Sequence, residues 1–305
     1  RHLQLGGAEI HFLVKPKHLP RLEGGAVLYP LNRRRAERWR PVRLEGYGLL
    51  TDPAEVGRSR WDQVWLCVPS TALREPWLET LAGGLGDATL VMLQPGLDDR
   101  ERILGAGVAA GQLVQGLITL IAYFAPLPTE SLATPGVAYW LPPGAKTPMS
   151  GERTRVDAVV SALRAGRCPA KVSEDVAVAT AFGSAILMPH IAALELAGWR
   201  FATLRRGPLL PLARQASLEA LAIAARHHGR PVPWRAHLVR PLLVRLATRL
   251  APWFVPFDLE TYLRVHFTKV GAQTRQHLET LHRHGEALGI PTPALDTLAA
   301  RLGPA

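Results

Sequence analysis

The segment that most constrains this chain is Ile10 to Lys17 (IHFLVKPK), an apolar run that ends in two cations. A helix-like piece, Arg1 to Leu5, precedes it and is stopped by Gly6-Gly7, where helices favour a left-handed residue. Helix, glycine turn and apolar strand in that order read as the later part of a dinucleotide-binding unit, entered partway: either its first strand and glycine loop precede Arg1 in a longer chain, or the pyrophosphate site was lost. In such units the end of the second strand reads the ribose. An acid there holds the 2′-hydroxyl of NAD, whereas a cation accommodates the extra phosphate of NADP. Lys15 and Lys17 occupy that end, and two readings stand: a phosphate contact, or a solvated strand end.

With 305 residues, 48% of them hydrophobic, the chain can bury two cores, and disorder is excluded. A formal charge of +11 invites a polyanion, and the run Asn32 to Arg43 (NRRRAERWRPVR) even carries a tryptophan for stacking. Yet only five of the 36 cations are lysines, and the arginines are spread along the chain as a compositional bias. No nucleic-acid partner is expected. Cys67 and Cys168 are too few for a disulfide framework and match no zinc spacing, which suits a reducing cytoplasm. His227-His228 and the trio His277, His282 and His284 read as exposed polar positions. No signal peptide and no membrane partner are expected: Ile103 to Thr129 and Val176 to Leu194 are uncharged but only weakly apolar, as buried segments are.

The first half alternates strand-like and helix-like pieces, which favours a parallel sheet covered by helices. Val64 to Ser70 (VWLCVPS) and Thr89 to Leu93 (TLVML) are short apolar runs of the kind buried central strands show. A helix from Leu73 to Leu85 joins them, and Asp98-Asp99 open another. Val114 to Phe124 and Val137 to Leu141 are strand-like. Gly105 to Ala110 satisfies G-x-G-x-x-A, but a charged helical segment feeds it instead of a strand, so it is read as a small-residue turn. After Pro142-Pro143-Gly144 the pattern turns helical: Glu152 to Ala165, a helix capped by Ser173 and running toward Trp199, then Leu209 to His228, Trp234 to Leu250, Leu259 to Leu288 and Pro293 to Leu302. The fold class expected is α/β, a Rossmann-type parallel-sheet domain over residues 1–145, followed by an all-helical domain over 146–305. Lys15, Val68 to Ser70 and Gln94 to Gly96 would then share the carboxyl ends of the strands, where such sheets bind ligands.

Taken with their order and spacing, the phrases GGAEIHFLVK, TDPAEVGRSRWDQVWLCVPS, LVMLQPGLDDRERI and HGEALGIPTPALDTL resemble the ketopantoate reductase family over nearly the whole chain. The resemblance implies an NADP-dependent reduction of 2-dehydropantoate by a Rossmann-type domain and a helical domain. It places Lys15 at the basic residue that touches the NADP phosphate, and Lys17, Val68, Pro69, Gln94 and Gly96 among the cofactor-binding positions. Departures are equally specific. Pro69 stands where the family usually has a lysine, and Pro95 replaces the asparagine of its L-Q-N-G turn. The catalytic lysine and the asparagine one turn later fall at Thr180 and Ser184. The substrate-binding glutamate falls near Gln273.

Reducing a 2-keto acid requires a hydride at the carbonyl carbon, a donor that protonates the alkoxide, and groups that hold the carboxylate. Threonine cannot act as a cationic acid. Tyr262, His266, Lys269 and Gln273, spaced four, three and four apart, would form one helical stripe beside the apolar stripe Leu259, Leu263, Phe267, Val270, Leu278 and Leu281. They read either as a solvated flank or as a substitute site, with Lys269 or His266 donating the proton, Gln273 orienting the carbonyl, and Thr180 and Ser184 binding substrate. The expected activity is thus a divergent NADP-dependent oxidoreductase acting on a small keto or hydroxy acid. The alternative is a non-catalytic member that binds a nucleotide or a protein. Long helices are compatible with a homodimer.

Overall fold

Short strands and helices alternate through the first half of the chain. In order they are α1 (His2–Leu5), β1 (Ile10–Leu13), α2 (Leu19–Leu22), β2 (Ala26–Pro30), β3 (Val42–Leu44), β4 (Tyr47–Leu50) and β5 (Gln63–Leu66). There follow α3 (Trp77–Gly83), β6 (Thr89–Met92), α4 (Asp99–Gly105), β7 (Leu113–Gly116), β8 (Ile121–Ala125) and β9 (Gly136–Trp140). β10 (Thr147–Ser150), α5 (Arg153–Ala165) and β11 (Ala170–Val172) complete it. Thereafter the chain is helical: α6 (Val176–Leu196), α7 (Phe201–Arg206), α8 (Leu209–His227), α9 (Pro241–Phe254), α10 (Leu259–Lys269), α11 (Gly271–Leu288) and α12 (Pro293–Leu302). The computed structural model describes residues 1–303 except 235, 237 and 238. Two units result, the first made of Arg1–Val68, Ala72–Gln94 and Asp99–Val176, the second of Pro69–Thr71, Pro95–Asp98 and Ala177–Ala305. The α/β class followed by a helical unit is as the sequence pattern indicates.

In the first unit β6 is buried along its whole length, as its unbroken apolar sequence requires. Alternate side chains leave it on opposite faces. Leu90 and Met92 pack with Leu78, Leu81 and Ile103 of α3 and α4, while Val91 packs with Val156, Val159 and Val160 of α5. Each fully buried aliphatic side chain contributes roughly 1.5–3 kcal/mol. β5, β6 and β7 are parallel, and β10 and β11 extend the same sheet, β10 running antiparallel to β7. β1 and β4 form a separate parallel pair, and β3-β2-β9-β8 a mixed four-stranded sheet. In a doubly wound sheet the first strand lies between the second and the fourth. β1 and β4 correspond to the second and third, β5 to the fourth, and no described strand joins β1 to β5.

Several expectations need correction here. Val114 to Phe124 is two strands in different sheets, separated at Leu117–Leu120. β10 and β11, past the Pro142-Pro143-Gly144 turn, pair into the five-stranded sheet, so the first unit runs to Val176 and not to about 145. Ser173 does not cap α6: its N–H goes to the Met149 carbonyl, and the Val176 N–H is taken by Ser150 Oγ at 3.1 Å. Trp39 of the basic run packs edge-on against Tyr29, ring centroids 5.9 Å apart.

The second unit is built on alanine. Ala213, Ala216, Ala220 and Ala224 of α8 and Ala181, Ala185, Ala192 and Ala193 of α6 belong to one core with Leu278 of α11 and Leu295 and Leu298 of α12. α6 is long and apolar enough to cross a membrane by length and composition, but its alanines and Phe182 belong to this core. α12 is clamped at both ends. The Glu219 carboxylate accepts from the N–H groups of Ala294 and Leu295 at 2.9–3.1 Å, and Arg275 donates to the carbonyls of Leu302 and Gly303 while paired with Glu195 at 2.9 Å. The expected helix Leu259 to Leu288 is two, α10 and α11, broken at Val270 (φ −111°, ψ 25°) before Gly271. The expected helix from Trp234 begins at Pro241; residues 235, 237 and 238 lie outside the described ones.

Candidate functional site

Lys15 follows β1 directly, the strand's register being extended by the Val14 N–H to the Leu50 carbonyl at 2.9 Å. Pro16 then turns the chain into a 3₁₀ segment, Pro16–His18, which carries Lys17. Both lysines are exposed, and the Lys15 ammonium lies 3.4 Å from a Glu75 carboxylate oxygen. Both side chains of that pair are roughly half exposed or more, so it contributes little, about 0–1 kcal/mol.

At the ends of β5 and β6 the geometry is tighter. Gln94 is buried, and its amide is wholly engaged with backbone: Nε2 donates to the carbonyls of Leu66 and Val68, both at 2.8 Å, and Oε1 accepts from the Leu93 N–H at 3.0 Å. Gln94 therefore ties the exit of β6 to the exit of β5 and fixes where Val68 sits. Val68 and Pro69 are exposed beside it.

The next residues, Pro95 and Gly96, belong with α6. Ser184 Oγ donates to the Pro95 carbonyl at 3.3 Å. Thr180, one turn earlier on α6, is 4% exposed, and its Oγ1 has no hydrogen-bond partner. A buried hydroxyl left unpaired costs about 1–3 kcal/mol, and such a group in a native fold calls for an explanation such as a ligand or a water. Asp98 closes the same loop onto α11. Its carboxylate accepts from Arg283 and from His284 Nε2, the latter at 2.5 Å. Burial would raise the Asp98 carboxyl, but the hydrogen bonds of His284 and Arg283 with their charges outweigh it and hold it below the usual carboxylate range. The sequence hints at Asp98 only as a helix-start acid, and at His284 only as a surface histidine.

His266 and Lys269 end α10. The His266 ring stacks on Tyr262, centroids 5.4 Å apart, and meets Phe267 edge-on at 4.9 Å. Burial, then the nearby Lys269 charge, push His266 below its ordinary value, so it is neutral at neutral pH. Burial raises the Tyr262 phenol to about 12 and excludes it as an acid-base group near neutrality. Lys269 is exposed. Gln273 lies beyond the break at Val270, on α11, so the expected single stripe of four is three residues on one helix and one on the next.

The histidines of α11 are not simply exposed. His277 is buried and held neutral, its pKa lowered to about 4 by burial; His282 Nδ1 is 2.7 Å from Asp296. The Gly105 to Ala110 segment is the end of α4 and a turn with Gly107 at φ 102°, not a strand-to-helix phosphate loop.

No protein-family model and no curated protein matches the sequence. Solved structures do match. A ketopantoate reductase of the PanE/ApbA family from Ralstonia eutropha JMP134 is 20% identical, with a TM-score of 0.70 over 99% of this chain and 91% of that one. A 2-dehydropantoate 2-reductase from Geobacter metallireducens GS-15 is 18% identical, with a TM-score of 0.67 over 99% and 93%. The ternary structure of D-mandelate dehydrogenase with NADH and anilino(oxo)acetate is 14% identical, with a TM-score of 0.72 over 99% and 91%. The chain shares its fold with these solved structures. Specifically, it is the ketopantoate reductase fold, as the sequence phrases imply.

Proposed function

We propose that this protein is an NADP-dependent oxidoreductase that transfers a hydride to a small 2-keto acid, 2-dehydropantoate or another. The observation that carries the proposal is the likeness, over 99% of the chain, to a dehydrogenase whose structure holds NADH and a keto-acid-like molecule, and to ketopantoate reductases. The residues present fit the nucleotide at its adenosine end. Lys15 emerges where a 2′-phosphate is read, in an ion pair weak enough to be exchanged for that phosphate. Among the described residues no strand feeds a G-x-G-x-x-G turn into a helix N-terminus, so pyrophosphate binding is not assigned to any of them.

When bound, the nicotinamide supplies the hydride. The chain's own residues do the rest. The Thr180 hydroxyl on α6 donates to the acid's carboxylate, which gives the unpaired Oγ1 its partner, and Ser184, one turn later, joins it by turning its O–H from the Pro95 carbonyl. Lys269 carries the proton for the developing alkoxide. His266, kept neutral by burial and by that lysine's charge, adds no second cation beside it, and Gln273 orients the carbonyl. Oxidation of NADPH, followed by absorbance with a panel of small 2-keto acids, tests the reading. Turnover of at least one acid, faster with NADPH than NADH, is expected; no turnover with any acid would exclude it.

A non-catalytic family member is favoured by one specific feature. Where ketopantoate reductases carry the catalytic lysine stands Thr180, which is buried and uncharged. That reading expects nucleotide binding without turnover.

A further inference from the structure

Helix α9 turns its apolar side away from the protein. Leu242, Leu246, Leu250, Trp253 and Phe254 fall on one face by the helical period, and they are 74%, 52%, 43%, 86% and 75% exposed. The opposite side does the packing: Val244 touches the core of the second unit, and the Thr248 carbonyl accepts from Arg205. No residue of α9 is buried, so the second unit uses the helix without covering its strongest apolar stripe. Exposed leucines are ordinary singly, but five large side chains in one stripe ending in Trp253-Phe254 are not.

Charge decides what such a face suits. From Gly229 to Phe257 the sequence has no aspartate or glutamate, and neither does the stretch from Leu196 to Leu218 that supplies α7 and the start of α8. Arg245 and Arg249, both exposed, edge the stripe on one side. At the start of α9 a hollow of about 380 Å³ is lined by Arg214, Gln215 and Arg240 with two prolines, a setting for an anionic headgroup. A second copy is disfavoured, because a two-fold contact would set this acid-free arginine rim against itself. An amphipathic helix with leucine and tryptophan on one side and arginine on the other suits the headgroup layer of a bilayer.

We propose that α9 docks the protein on an anionic lipid surface, its leucine and aromatic stripe in the acyl boundary and its arginines on lipid phosphates. The expectation of no membrane partner considered only spanning segments, and α9 spans nothing. Sedimentation of the full chain with phosphatidylcholine vesicles, and with vesicles containing a third phosphatidylglycerol, tests this. The protein should pellet with the anionic vesicles only, and less at high salt. The Arg245→Gln/Arg249→Gln double variant should lose about twenty-five-fold in partitioning, about fivefold for each arginine. Trp253→Ser/Phe254→Ser should abolish pelleting with an unchanged melting curve, since both side chains are exposed. Equal pelleting with neutral vesicles, no pelleting with either, or a concentration-dependent dimer that the aromatic variant dissolves would each overturn the proposal.

Discussion

Replacing Gln94 by methionine keeps the volume and removes an amide that makes three hydrogen bonds, to Leu66, Val68 and Leu93. Each is worth about 1 kcal/mol net, and a partner left dry costs more, about 1–3 kcal/mol. The Val68 carbonyl can turn to water because Val68 is exposed, whereas Leu66 is 3% exposed and its carbonyl cannot. The expected loss is therefore about 3 kcal/mol. For a unit of roughly 150–250 residues this lowers Tm by roughly 6–12 °C. Thermal melts of the wild type and Gln94→Met, followed by near-UV circular dichroism, measure it. Because Gln94 ties the exits of two strands, cofactor affinity should fall together with stability. A variant that melted within about 2 °C of wild type while losing NADPH binding would refute the reasoning, since Gln94 would then be a direct ligand and not a tie.

Three other substitutions probe the second unit. Lys269→Ala should lower kcat by at least about a hundredfold, as loss of a proton donor does, and leave the melting curve unchanged because the side chain is exposed; equal activity would remove the assignment. Thr180→Val deletes an unpaired buried hydroxyl, so stability should hold or rise by about 1 kcal/mol while KM for the keto acid rises; a fall in stability would show that the hydroxyl is already satisfied. His277, with its pKa lowered to about 4, opposes folding once the unfolded chain takes up a proton. Stability should therefore decline as pH falls through the window from about 6.5 to about 4, by up to roughly 3 kcal/mol at about 1.4 kcal/mol per unit. Below that window the depressed Asp98 adds its own loss as it is protonated. In urea titrations across that range His277→Gln should flatten the first decline, and an unchanged slope would argue against it.

What could be read in the sequence followed from signals confined to a few neighbouring residues. β6 announced itself by a short, mostly apolar run, and α5 and α12 by the helix-like segments Glu152 to Ala165 and Pro293 to Leu302, which match Arg153–Ala165 and Pro293–Leu302. β2, β3 and β4 gave no such signal. They are three to five residues long and gain stability from partners more than a hundred residues away, as when Leu28 pairs with Val137. Apolar spacing continued across Val270-Gly271 as if α10 and α11 were one helix, because only Val270 separates them and no proline marks the break. The Asp98 clamp on Arg283 and His284 joins residues about 185 positions apart and left no local trace. For α9 the period showed which residues share a face, yet not that the face would be left uncovered. The position of Lys15 just past β1 was legible from the apolar run before it. The backbone role of Gln94 was not, since a glutamine in a turn reads the same whether it faces a ligand or the strand beside it.

Titrating the protein with NADPH and with NADH by calorimetry, alongside Lys15→Ala, puts the central claim to the most direct test. NADPH should bind tenfold or more tighter than NADH, a preference of about 1.4 kcal/mol that disappears in the variant. Failure to bind either nucleotide, or equal affinity for both that Lys15→Ala leaves untouched, would contradict it.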